Sequence, residues 1–240
     1  MPILAAHPFL DSFLEADWLG KGIYLSLLAL SVICWIILIQ KTVLTRQVHQ
    51  QSLQFTRMFQ KHKKSPLSFE FSAQSSYPLQ KIYSVLKRQT LELLNKNHHF
   101  TKEKSQPATL SPTDIDFIDT HVSSSIMKEV RHMEKNLFIL STIVTLAPFL
   151  GLLGTVWGIL VTFSELQSHQ MANTNQMMLG GLSLALTTTV LGLIIAIPAL
   201  IGYNYLKNAI KGLQTDMESF SSEVMASVEL QYRQVDVKHE

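Results

Sequence analysis

The chain has little charge and almost no cysteine. Only 16% of its 240 residues are charged, and Cys34 is the one cysteine. A single cysteine excludes a disulfide bond within the chain. Because Cys34 lies in an apolar run, we interpret it as a small core or lipid-facing residue rather than a reactive thiol.

The sequence also lacks the side-chain groupings of an enzyme or a metalloprotein. No apolar segment holds a nucleophile beside a base or a cluster of metal ligands, which argues against an intramembrane enzyme. The adjacent His98 and His99 have no further ligands at metal-binding spacing. We therefore predict no catalytic site, no metal site and no cofactor.

Charge is absent altogether from three long apolar segments. These segments are residues 22–40, 136–164 and 166–206, with 19, 29 and 41 residues. A helix that crosses a bilayer needs about 20 apolar residues. The sequence therefore predicts three membrane helices.

The first apolar segment does not have the flanks of a signal peptide. Asp11, Glu15 and Asp17 precede it, where a signal peptide would carry basic residues, and no small-residue cleavage site follows. Apolar residues within 1–20 recur at helical spacing. This spacing predicts an amphipathic helix on the outer interface or, equally, the frayed start of the first membrane helix.

Lysine and arginine are missing from two short segments, and their absence predicts the orientation. Residues 1–20 and 165–178 contain none, whereas residues 40–137 contain 15 and residues 207–240 contain 4. Because basic residues concentrate on the cytoplasmic side, the N-terminus and the second loop are predicted to lie outside. The long loop mixes 15 basic with 8 acidic residues, so we predict no nucleic-acid binding.

The sequence predicts an all-α integral membrane protein in which two of the three membrane helices are extended as long cytoplasmic helices. The predicted segments are an outer interfacial helix (1–20), a first membrane helix (21–40), a cytoplasmic helical loop domain (41–137), a second membrane helix (138–165), a short outer loop (166–178), a third membrane helix (179–206) and a cytoplasmic C-terminal helix (207–240).

Two apolar stripes predict the cytoplasmic extensions. Ser111 is a predicted N-cap, and one stripe then continues without a helix breaker to Pro148. We therefore expect one helix over 112–165, about 80 Å long. The stripes are Ile115, Ile118, Val122, Ile126, Val130, Met133 and Leu137, and, in the tail, Leu206, Ile210, Leu213, Met217, Phe220, Val224 and Val228.

The rest of the cytoplasmic loop has a shorter helix between two polar segments. Residues 64–78 are rich in serine and proline and are interpreted as a linker. Residues 79–94 carry one apolar face, formed by Leu79, Ile82, Leu86 and Leu93. Residues 95–112 are polar, and we expect them to be mobile.

Small residues line one face of each of the last two membrane helices. Lipid gives helices no hydrophobic reason to associate, and small residues allow their backbones to approach closely. The glycines are therefore predicted to be packing surfaces. The two faces are Gly151, Gly154 and Gly158 on the second helix, and Gly181, Ala185, Thr189, Gly192 and Ala196 on the third.

Two threonines on these faces are predicted to lie near the bilayer midplane. Thr155 and Thr189 each lie about ten residues, or about 15 Å, inside the outer end of their helix. Each threonine hydroxyl either donates to a carbonyl oxygen of its own helix, in which case the residue only packs, or forms part of a polar pathway for an ion. Thr187 and Thr188 are interpreted as packing residues.

The segments "APFLGLLGTVWGIL" and "GLSLALTTTVLGLIIAIPALIGYNYL" closely resemble the pore helices of the MotA/TolQ/ExbB proton-channel family. The resemblance covers all three membrane helices, and "SVICWIILIQKTVL" is most like the TolQ branch. It implies pore threonines at Thr155 and Thr189. It also implies close-packing residues at Gly151, Gly154, Gly158, Gly192 and Pro198.

The resemblance also implies an assembly in the bacterial inner membrane, with the N-terminus in the periplasm and the C-terminus in the cytoplasm. Five copies would form a homo-oligomeric ring around single-span partners of the TolR or ExbD type, each carrying a membrane aspartate. A TolA- or TonB-type protein would be a further partner. Proton flow along the aspartate would do work on the cell envelope.

One position departs from the family pattern. The TolQ/ExbB branch usually has a glutamate where this chain has Leu184, and the three charge-free segments 22–40, 136–164 and 166–206 contain no aspartate, glutamate, lysine or arginine. We therefore expect the partner to bring the carboxylate. The expected function is that of a TolQ-like proton-driven stator subunit; the alternatives are an ExbB-like role in outer-membrane uptake and a non-conducting scaffold. Whether the ion is a proton or sodium stays open.

Overall fold

The chain folds into helices. The structure, a computed structural model, describes residues 13–14, 16–61, 65–69, 77–100, 109–167 and 174–232, which contain no β-sheet. The helices are α1 (Trp18–Gln60), α2 (Pro78–Phe100), α3 (Pro112–Glu134), α4 (Leu137–Gln167) and α5 (Thr174–Tyr232). The prediction of an all-α protein is confirmed for these residues.

Three of these helices are long and apolar enough to cross a membrane. They are α1, the Leu137–Ser164 part of α4 and the Gly181–Tyr232 part of α5. The three predicted membrane helices are therefore confirmed by length and composition. Residues 18–20 belong to α1, while residues 1–12 of the predicted interfacial helix lie outside the described residues.

The chain divides into two compact units, and α1 and α5 contribute to both. The first unit, called the membrane unit below, comprises Met1–Thr42 and Asn136–Leu206. The second comprises Val43–Lys135 and Lys207–Glu240 and is called the cytoplasmic unit, after its predicted location.

The cytoplasmic unit has an aromatic core. Its ring centroids lie 5.2 to 6.2 Å apart, mostly in the edge-to-face arrangement that aromatic pairs prefer. The hydroxyl of Tyr83 donates to the carbonyl oxygen of Pro66 at 2.6 Å and so holds residues 65–69 against α2. The rings belong to Phe55, Phe59, Phe69, Tyr83 and Phe220.

The predicted apolar stripes form the rest of this core. All seven predicted residues of the tail stripe, from Leu206 to Val228, are buried. On α2 the face is as predicted except at its end, where Leu94 is buried and Leu93 is only half-buried. Lys81 of α2 and Glu129 of α3 form an ion pair with a 3.0 Å separation.

The expectation of one unbroken helix over 112–165 is wrong. Helix α3 ends at Glu134, Lys135 leaves the helical conformation with ψ of 132°, and Asn136 has φ of 70° before α4 begins. Asparagine adopts positive φ more readily than most residues, because its short polar side chain tolerates the left-handed region. The apolar stripe therefore continues across residues 135 and 136, where the helix is interrupted.

The expectation of a mobile segment over 95–112 is also wrong at both of its ends. Residues 95–100 form the last turns of α2, and the amide nitrogen of Asn97 donates to Asp114 Oδ2 at 2.9 Å. Ser111 is the N-cap of α3 and forms a reciprocal capping box with Asp114, as its position predicted. Burial raises the pKa of Asp114, but hydrogen bonds from Ser111 and Asn97 outweigh it and lower the pKa below its usual value. Residues 101–108 lie outside the described residues.

Candidate functional site in the membrane helices

Helices α4 and α5 pack against each other in antiparallel orientation through their glycines. Gly158 lies against Gly181 and Ala185, whereas Gly192 lies against Ala147, eleven residues earlier on α4. Because residue numbers increase along α5 while those of the contacting residues decrease along α4, the two helices are antiparallel. The glycine faces therefore meet each other within the membrane unit.

Three of these glycines touch backbone atoms of the other helix. A Cβ atom would lie 2.6 Å from the Gly181 carbonyl oxygen if added to Gly158. It would lie 2.6 Å from the Ala147 oxygen if added to Gly192, and 2.9 Å from the Thr188 oxygen if added to Gly151. Backbone atoms cannot rotate away, so any side chain here would separate the helices.

The other two glycines face threonine side chains. A Cβ on Gly154 would overlap the side chain of Thr188, and a Cβ on Gly181 would overlap the hydroxyl of Thr162 on α4. Each glycine therefore makes room for a threonine, which explains why small and hydroxyl residues occur together on these faces.

Thr188 is the most enclosed hydroxyl of the site. Its side chain is fully buried, and its hydroxyl lies 3.0 Å from the Ala185 oxygen, 3.1 Å from the Leu184 oxygen and 3.4 Å from the Gly151 oxygen. A hydroxyl donates one hydrogen bond at a time, so Thr188 can switch between its own helix and α4. Sequence reasoning treated Thr188 as a packing residue and did not identify this contact.

Thr189 forms a hydrogen bond across the helix pair. Its hydroxyl donates to the Gly151 carbonyl oxygen on α4 at 3.1 Å, while the Ala185 oxygen of its own helix is 3.5 Å away. Gly151 is close enough to receive this bond because it has no side chain. The predicted glycine and the predicted threonine thus meet at one point.

Thr155 is placed differently. Its hydroxyl donates to the Leu152 carbonyl oxygen of its own helix at 2.6 Å, and its side chain is half-exposed. Thr189 lies opposite Gly151, so Thr155 is about one helical turn further toward the C-terminal end of α4. The structure does not bring Thr155 and Thr189 together within this helix pair.

Two further predicted positions lie on α5 beside the glycine contact. Leu184 is buried, and its Cδ2 atom would lie 2.7 Å from a Cβ added to Gly20 at the start of α1. Pro198 is half-buried inside α5, where its ring removes one helical N–H donor.

A polar contact that sequence reasoning missed joins α1 to α4. The indole nitrogen of Trp157 donates to Asp17 Oδ2 at 2.9 Å, and Asp17 Oδ1 accepts the backbone N–H of Gly20 at 2.9 Å. An aspartate just before an apolar run is a helix N-cap signal that the sequence did offer. No local pattern could have paired it with a residue 140 positions away.

Known proteins similar to this chain are channel-type membrane proteins. A family model described as the MotA/TolQ/ExbB proton channel family matches residues 92–219. The Tol-Pal system protein TolQ of Haemophilus influenzae is 29% identical over 223 residues, which are 90% of this chain and 91% of that protein.

Proteins with the name ExbB are also similar. The biopolymer transport protein ExbB of Aquifex aeolicus is 42% identical over 99 residues, which are 41% of this chain and 66% of that protein. ExbB of Neisseria meningitidis serogroup A is 24% identical over 213 residues, covering 88% of this chain and 93% of that protein. The matched family segment contains α3, α4 and most of α5, and therefore the whole glycine and threonine contact.

Proposed function

The chain belongs to the MotA/TolQ/ExbB proton channel family, and from this premise we propose that it is a TolQ-like stator subunit of the bacterial inner membrane. Five copies form a ring around single-span partners of the TolR or ExbD type, with the N-terminus in the periplasm and the C-terminus in the cytoplasm. The assembly converts the proton-motive force into mechanical work on the cell envelope.

The contact between Gly151 and Thr189 is the observation that carries this proposal. It holds a hydroxyl against a carbonyl oxygen between two apolar helices, where an unpaired polar group is costly. Thr188 lies beside it with a hydroxyl that can change acceptor. This arrangement suits a helix pair that presents hydroxyls to a passing ion.

The proton-carrying carboxylate comes from the partner in this proposal. The apolar segments of the chain contain no aspartate, glutamate, lysine or arginine. Thr155 and Thr189 act as hydroxyl relays about one turn apart. One elementary charge moving through 100 mV releases about 2.3 kcal/mol, so a few protons are sufficient to break several weak contacts.

Two alternatives remain, and each has an observation in its favour. The ExbB relatives favour a subunit that energises outer-membrane uptake with a TonB-type protein, whereas a TolQ role implies a TolA-type protein. Buried Leu184, at the position of the branch's usual glutamate, favours a scaffold that has lost conduction.

Purification of a tagged copy from its own membranes tests the proposal. We expect a single-span protein with one membrane aspartate to copurify, and the reconstituted complex to carry protons down an imposed potential in sealed vesicles. Substitution of the partner's aspartate by asparagine should abolish that flux. A homo-oligomer without such a partner, or a complete complex without flux, would instead support the scaffold.

A further inference from the structure

Three helices of the membrane unit meet at Asp17. This residue is the N-cap of α1, bonds to Trp157 of α4, and lies beside Gly20, which packs against Leu184 of α5. The Asp17–Trp157 hydrogen bond is a polar side-chain contact between two apolar helices. The start of α1 is therefore held to both helices of the glycine and threonine contact.

The depth of this hydrogen bond follows from the position of Trp157 on α4. Trp157 follows Thr155 by two residues, or about 3 Å, toward the predicted outer end of that helix. Because Thr155 is predicted near the bilayer midplane, the bond lies in the outer half of the membrane.

Both oxygens of the Asp17 side chain have a partner. Oδ1 accepts the backbone N–H of Gly20 at 2.9 Å, and Oδ2 accepts the indole N–H of Trp157 at 2.9 Å. An unpaired donor or acceptor is costly where lipid replaces water, so the loss of either partner should disturb this contact.

Trp157 lies between the contact glycines of α4. Gly158 follows it directly, and Gly154 precedes it by nearly one turn. A bond that fixes the indole therefore fixes which side of α4 its glycines present to α5. We propose that Asp17 is a positioning residue that acts through Trp157, holding α4 in the rotation that brings Gly151 against Thr189. This role rests on the proposed function.

Three substitutions separate this role from simple helix capping. Trp157→Phe removes only the indole donor. Asp17→Ser keeps a capping oxygen but is too short to reach Trp157, and Asp17→Ala removes both functions. Trp18→Phe is the matched control, because Trp18 adjoins Asp17 and is 81% exposed.

Amide hydrogen exchange on the purified ring measures the positioning directly. We expect faster exchange over residues 147–158 in Trp157→Phe and in Asp17→Ser, with no further increase in the double variant and no change in Trp18→Phe. Unchanged exchange in either single variant would overturn the proposal. This measurement needs no ion flow, so it holds even if the proposed function fails.

Flux and fluorescence complete the test. Trp157→Phe should lower the flux of the complex severalfold when Thr189 is present, and it should cause no further loss in a Thr189→Val background. Additive losses would contradict positioning. With Trp18→Phe and Trp35→Phe in place, the emission of Trp157 should shift when Asp17→Ser is added, because the indole loses its acceptor. Identical emission with and without Asp17→Ser would exclude Asp17 as the partner of Trp157.

Discussion

At the residue scale, the hydroxyls of α5 differ more than the run "TTT" indicates. Thr188 is fully buried and has two acceptors on its own helix, so its hydroxyl is satisfied without α4. Thr189 is only half-buried, and its shortest hydrogen bond is to Gly151. Of the two hydroxyls, that of Thr189 therefore contributes more to the contact between α5 and α4.

Replacement of Thr189 by valine should reduce function while the ring stays assembled. Valine keeps the shape of threonine but removes the hydroxyl that bonds to Gly151. We expect a loss of flux of about two- to tenfold, because one hydrogen bond contributes roughly 0.5–1.5 kcal/mol. Flux in reconstituted vesicles and gel filtration of the ring measure both properties.

Thr188→Val is the matched control for this substitution. The Thr188 hydroxyl already has acceptors on its own helix, at the Leu184 and Ala185 carbonyl oxygens. Removal of this hydroxyl should therefore reduce the flux much less. Equal losses in the two variants, or full activity in Thr189→Val, would return Thr189 to a packing role.

At the scale of helices, the membrane unit and the cytoplasmic unit use opposite packing. In the membrane unit, glycines bring backbones together, because lipid offers no hydrophobic drive. In the cytoplasmic unit, large rings such as Phe55 and Phe59 fill the core, because their burial removes apolar surface from water. One helix, α5, has both kinds of surface along its length.

Gly158→Ala should separate α4 from α5. The added methyl group would lie 2.6 Å from the Gly181 carbonyl oxygen and 3.0 Å from the Ala185 Cβ. We expect the free energy of unfolding to fall by roughly 1–3 kcal/mol, as is typical when a core is overpacked. A lower melting temperature of the purified ring would show this loss.

Two other glycines supply controls for this substitution. A Cβ on Gly22 or Gly212 would meet nothing within 4 Å. Gly212→Ala should even stabilise α5 by up to about 1 kcal/mol through helix propensity. Equal changes in melting temperature for Gly158→Ala and Gly212→Ala would show that Gly158 is not needed for close packing of the helices.

Tyr83 predicts how the cytoplasmic unit responds to high pH. Burial raises the pKa of Tyr83 to about 12, with a smaller opposing effect from a backbone hydrogen bond at Phe69. An unfolded tyrosine ionises near pH 10, so between about pH 10 and 12 the unfolded state loses a proton that the folded state retains. The free energy of unfolding should therefore fall as pH rises through this range.

Tyr83→Phe isolates this contribution. Its free energy of unfolding should be lower at neutral pH by about 1 kcal/mol, because the bond to the Pro66 oxygen is lost. Denaturant unfolding at several pH values should then show a shallower decline above pH 10 than in the unsubstituted protein. If the free energy of unfolding declined identically in Tyr83→Phe and in the unsubstituted protein, the decline would come from other titrating groups.

At the scale of the whole molecule, the chain has two units of different chemistry. Three helices of the membrane unit can cross a bilayer, and the cytoplasmic unit holds most of the basic residues. The proposed orientation places the latter in the cytoplasm and residues 165–178 in the periplasm.

Cysteine labelling in intact cells tests this orientation. Cys34 is the one native cysteine and is buried, so Cys34→Ala gives a background without thiols. Added to this background, Ser168→Cys should react with a membrane-impermeant maleimide in cells with a permeable outer membrane. Lys211→Cys should react only after the inner membrane is opened. The reverse pattern would invert the predicted topology.

The sequence by itself determined the helical class, the three membrane helices and the tail stripe. Apolar length and helical periodicity are local properties, and each of these features can be read from one segment at a time. The Ser111 N-cap was predictable for the same reason. The match of family motifs further identified the glycine and threonine faces.

Only the tertiary structure decided how these faces align. The register that sets Gly151 against Thr189, and places Thr155 about one turn away, depends on contacts between residues distant in sequence. The same is true of Asp17 and Trp157. The break at Asn136 was missed because an unbroken apolar stripe does not report a backbone angle. Periodicity determines which residues share a face, whereas the fit between side chains determines what that face meets.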